Sequence, residues 1–178
     1  MTSPITEEAP QRRERAQSLV ELAISLTVIM LLLAGAVSFG MALFSYVAIR
    51  DAAGEGALYG SIKPYHDSDA DGTYDAGEPV NSSGTDGICA RVRAASNSPV
   101  DMTSFDCTTD GGAHTGNNID VIAIGSPCEG NTGSTANAVQ VTVEYFQPVF
   151  MPLIGAIIGQ QIHLQARVTN TILTPSCP

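Results

Sequence analysis

The chain has 178 residues, with 8 Lys+Arg against 18 Asp+Glu and a formal net charge of −10. That length supports one domain of moderate size plus an anchor segment, and the acidity speaks against sequence-independent nucleic-acid binding, which needs basic patches against phosphate. Charged residues make up only 15%, below the roughly 25% of an ordinary soluble domain, and the shortfall sits near the N-terminus, so a uniform cytosolic enzyme is not expected.

Residues 1–16 read as a basic leader carrying Arg12, Arg13 and Arg15. From Leu22 to Ile49 no charged residue occurs. A membrane-spanning helix needs about 20 mostly apolar residues, whereas the apolar part of a cleaved secretory signal has about 7–15. The spacing therefore predicts a transmembrane helix, and the absence of proline between Pro10 and Pro64 lets it run over 17–60. Arginines before the helix and acids after it place the N-terminus inside and the C-terminal domain outside. Glu21 stands at the entry to the apolar run. A carboxylate there costs a few kcal/mol, which makes it a functional candidate, unless it only reaches back to the headgroups. Small residues recur every four positions, first at Ala34, Ser38 and Ala42, then at Ala48, Ala52, Gly56 and Gly60. Such a stripe permits close helix approach. The second series leaves the apolar region, so it is expected to pack against the protein's own head.

Residues 61–178 form the extracytoplasmic head. Within it, Asp67–Glu78 (DSDADGTYDAGE) fits the D-x-[DN]-x-[DN]-G-x5-E loop of calcium sites. Asp67, Asp69 and Asp71 supply oxygens at positions one, three and five, and Gly72 makes the sharp turn. Thr73 offers its carbonyl, Asp75 acts directly or through water, and Glu78 binds bidentately. Prolines at 64 and 79 leave no room for flanking helices, so an isolated Ca2+ staple is expected rather than a sensor. Cys89, Cys107, Cys128 and Cys177 all fall in the head, which suggests up to two disulfides with three possible connectivities. No C-x-x-C pair exists and His66, His114 and His163 are scattered, which disfavours a cysteine zinc site.

The rest of the head reads as loops with a few regular elements. Ile88–Ala95 fits a short helix or a strand, with helix preferred, and Asn118–Ile124 is expected to be a strand. Val139, Val141, Val143 and Tyr145 alternate with polar residues, as do Ile162, Leu164, Ala166 and Val168, the period of half-buried strands. The apolar connection PVFMPLIGAIIG between them is too short to span a bilayer. The expected class is α+β: a long N-terminal helix packed on a small antiparallel sheet, with a loop-rich calcium-binding insertion.

Two sets of residues on the helix carry a resemblance. Gln17, Ser18, Val20 and Glu21, followed by Ala52, Ala53, Glu55, Gly56 and Ala57, resemble the two motifs that bracket the helix of the TadE-like family, pilin-like proteins of the Tad (type IVc) pilus system. The segment from Ala138 to Gly155 is similar to that family's C-terminal strand pattern. The resemblance implies a pilin-like fold and processing by a prepilin peptidase between Ala16 and Gln17, with Ala16 standing where glycine is usual. It also implies that Glu21, then fifth in the mature chain, pairs with the new amino group of a neighbouring subunit. Other pilin subunits, a pilus assembly platform and the membrane are the implied partners, and the protein is expected in the cytoplasmic membrane or in an extracellular filament. A permanently anchored calcium-binding surface protein or adhesin is the rival reading. No nucleophile–base pair, phosphate loop or dinucleotide fingerprint is legible, so no enzymatic activity is expected.

Overall fold

The computed structural model describes residues 9–66, 80–82, 84–95, 98–125, 138–149, 155–156 and 159–173, with side chains from Gln17 onward. The helix α1 runs Ala9–Ile62. Pro10 falls in its first turn, where a missing N–H costs nothing. Its C-terminus lies just before Pro64, with Lys63 N donating to Tyr59 O at 3.0 Å, because proline disfavours helical backbone in the residue preceding it. The chain divides into two compact units, residues 1–40 and residues 41–178.

In the first unit the described residues are helical throughout, and the large apolar side chains face outward, Val20 at 60% exposure and Leu32 at 66% among them. Two of its hydroxyls, those of Thr27 and Ser38, are satisfied within the helix. Thr27 Oγ1 donates to Ala23 O at 2.8 Å and Ser38 Oγ to Ala34 O at 3.0 Å, so neither is left orphaned in an apolar medium.

The second unit holds the end of α1, the helix α2 (Ile88–Ala94) and a four-stranded sheet. The strands are β1 (Asp106–Thr108), β2 (Asn118–Ile124), β3 (Ala138–Pro148) and β4 (Gln161–Thr171), in the spatial order β1-β2-β3-β4. The β2–β3 and β3–β4 pairs are antiparallel. The expected antiparallel sheet is corrected at one edge: β1, which its three residues were too short to reveal in the sequence, pairs parallel with β2.

Period-two alternation gives the sheet an apolar and a polar face. Ile119, Val121, Val139, Val141, Val143 and Ala166 are buried on the apolar face and join Ile49, Ala52, Ala53, Ala57, Ile88 and Val92 from the helices in one core. Within 41–62 the buried residues of α1 are Ser45, Ile49, Ala52, Ala53, Gly56, Ala57, Gly60 and Ser61, recurring at helical spacing. The series Ala52, Gly56 and Gly60 therefore does face the head. A methyl group at Gly56 would overlap Val92 Cγ2, and one at Gly60 would sit 2.8 Å from both Ile88 Cδ1 and Val139 Cγ1. Absence of side chains here is what lets helix and sheet meet. Ser45 Oγ donates to Gln147 Oε1 at 2.6 Å, and Leu173 N to Ser61 O at 2.8 Å, tying α1 to the sheet and to the residues just after β4.

Candidate functional site

Glu21 lies in the exposed part of α1, among Leu19, Val20, Leu22 and Ile24, each more than half exposed. It stands inside the stretch Gln17–Ile62, which is long and apolar enough to cross a membrane and whose most apolar window is not buried by any of the described residues. An apolar surface of this size on one helix is consistent with a membrane or with cover by neighbouring helices. Gln17, like Glu21, is helical and exposed, and the backbone of Ala16 continues the same helix.

A match to a family model bears on this helix: the model for TadE-like proteins covers residues 16–58. The segment is TadE-like. No curated protein and no solved structure matches the chain. The matched span starts at Ala16, includes Gln17 and Glu21, and ends within the buried stripe of small residues, so the two motifs legible in the sequence mark its two ends. The C-terminal likeness read from Ala138 onward lies outside the match.

The calcium ligands expected from sequence, Asp67, Asp69, Asp71, Thr73, Asp75 and Glu78, lie outside the described residues. The chain on either side of them is described. Tyr65 and Val80 form an antiparallel β-bridge, Asn81 N donates to Pro64 O at 2.9 Å, and Asn81 Nδ2 reaches Lys63 O at 3.4 Å. The acidic segment thus leaves and re-enters the head at one point, directly after α1. Burial pushes the Tyr65 hydroxyl above its ordinary pKa.

Of the four cysteines, Cys89 and Cys107 form a disulfide across a Cα–Cα distance of 6.2 Å; Cys128 and Cys177 lie outside the described residues. The bridge joins α2 to β1. Around it, Arg93 Nη2 donates to Phe105 O at 2.6 Å and the Arg91 guanidinium sits 5.0 Å over the Tyr59 ring. Phe105 stacks on Tyr145, whose hydroxyl burial also pushes upward in pKa. In the loop before β1, a hydroxyl and an N–H of Thr103 hold the exposed Asp101 carboxyl below its usual range.

Sequence reading missed one grouping. His114, set aside as scattered, is brought together with Asp110 and Asp120 on the polar face of the sheet, their ligand atoms all within 4.8 Å of one another. The only sequence signal was an Asp-x3-His spacing in a loop, which without the β1–β2 pairing does not point at Asp120.

Proposed function

We propose that this protein is a pilin-like subunit, minor or major, of a Tad (type IVc) pilus system, acting structurally and not as an enzyme. The observation that carries the reading is the coincidence of the TadE-like match over residues 16–58 with an apolar helix surface that none of the described residues covers. Before assembly that surface is solvated by lipid, with the arginines of the leader inside and the acidic head outside. A prepilin peptidase cuts between Ala16 and Gln17, and the helix passes from bilayer to filament, where neighbouring helices replace lipid against the same side chains.

Glu21 then has a defined task. A carboxylate in an apolar bundle is costly unless a cation meets it, and the freed amino group of Gln17 in a neighbouring subunit supplies one. Pairing with a neighbour's amino group is available only in the assembled state, so it adds a bias toward assembly. The head is stabilised by the Cys89–Cys107 bridge and by Ca2+ at Asp67–Glu78, a segment flanked by the Tyr65–Val80 bridge.

Glu21→Ala tests the reading. Normal membrane insertion with loss of the subunit from sheared filaments is the expected result. Unchanged distribution between membrane and sheared fractions would instead support a permanently anchored surface protein.

A further inference from the structure

The polar face of the sheet carries an oxygen and nitrogen donor set remote in sequence from both the TadE-like segment and the acidic loop. Asp110 Oδ1 lies 3.3 Å from His114 Nε2. Donors about 2.05 Å from a tetrahedral ion stand about 3.3 Å apart, so this pair already has the spacing of one coordination edge. Asp120 completes the group from β2 and is only 3% exposed. Its Oδ1 accepts from Thr108 Oγ1 and from Gly111 N, each at 3.2 Å, and among the described residues no Lys or Arg pairs with it. A carboxylate so buried calls for positive charge.

A second observation is independent of that cluster. Thr142 stands directly opposite Asp120 across β2 and β3, on the same face, and is 3% exposed; among the described residues its Oγ1 has no hydrogen-bond partner. Asn118, also buried, has no partner for Oδ1 among the described residues, while its Nδ2 donates to Thr108 Oγ1 at 2.7 Å. Buried oxygens normally find partners. Two that do not, on the same face as a buried carboxylate and an imidazole, describe a place where a cation or its bound water is wanted.

We propose that Asp110, His114 and Asp120 hold a divalent transition-metal ion of the zinc class, with the free oxygens of Thr142 and Asn118 serving the ion or its water. The imidazole nitrogen selects zinc over calcium, which separates this site from Asp67–Glu78. The Thr108 hydroxyl accepts from Asn118 and donates to Asp120, fixing the carboxylate as an outer partner fixes a metal ligand. His114 lies 3.3 Å from that same hydroxyl through Nε2, and its backbone N–H donates to Glu144 Oε2 at 3.2 Å. Glu144 is thereby a positioning residue, itself held by Gln165 Nε2 at 3.0 Å. The ion would pin the loop following β1 onto the sheet. The inference does not depend on the pilus reading.

Full-length protein in detergent, stripped with chelator and returned to excess calcium, is titrated with Zn2+ in competition with a chromophoric zinc chelator. One equivalent should bind. His114→Ala and Asp110→Asn, both at the solvent side of the group, should each weaken binding at least about tenfold, and Thr108→Val by about 10–100-fold. Co2+ in place of Zn2+ should give visible ligand-field bands that His114→Ala abolishes. Absence of zinc binding would overturn the proposal. So would equal affinity in wild type and His114→Ala, which would locate the zinc elsewhere. Unchanged circular dichroism of the metal-free variants shows that folding is not the cause of any loss.

Discussion

Gly56 and Gly60 set how closely α1 approaches the head. Both positions are already filled to contact by Val92, Ile88 and Val139, and forcing a methyl into such a packed site typically costs about 1–3 kcal/mol. Gly56→Ala and Gly60→Ala should therefore each lower the unfolding free energy of the head in urea denaturation by about that amount, while Gly54→Ala, with nothing within 4 Å, should not. A second residue-scale expectation concerns Tyr65 and Tyr145. Burial raises both hydroxyls, so the folded state holds each proton more tightly than the unfolded chain does. That stabilisation is complete below the ordinary tyrosine pKa of about 10 and is lost as pH rises through the raised values. Melting temperature should fall on the alkaline side of about pH 10, and Tyr145→Phe should make the fall shallower. An unaltered slope in Tyr145→Phe would show that burial of this hydroxyl is not a source of it.

Among the elements, the Cys89–Cys107 bridge closes 18 residues of chain and fastens α2 to the short edge strand β1. Loop-closure entropy for that length is worth about 3 kcal/mol, so the double variant Cys89→Ala, Cys107→Ala should lose stability of that order in urea denaturation. Most elements were legible because their pattern is local. Unbroken apolarity marks α1, and alternation marks β3 and β4, which the structure places at Ala138–Pro148 and Gln161–Thr171. The strand β1 was not legible. It has three residues, its parallel partner lies ten residues on, and only the tertiary pairing makes it a strand. The same cause hid the Asp110–His114–Asp120 group, because the strand register, not the spacing, brings Asp120 to the loop. The disulfide illustrates the intermediate case: the four cysteines announced oxidation, but selecting Cys89 with Cys107 from three connectivities required the contact between α2 and β1.

At the scale of the molecule, the protein combines an apolar helix with an acidic head. The stripe Ala52, Gly56, Gly60 is spent inside the head, so under the proposed pilin function assembly would rest on the other residues of the TadE-like segment, above all Glu21. The calcium reading adds one global expectation. Limited proteolysis within Asp67–Glu78 should be suppressed by Ca2+ and restored by chelator, and identical digestion patterns would count against a bound ion there.

The central claim is that the helix is a processed assembly element. The most direct measurement is mass spectrometry of the protein's N-terminal residue in membranes and in sheared extracellular material. The account predicts a chain that begins at Gln17 and is present in the sheared fraction. An intact leader, with the protein confined to membranes, would contradict it.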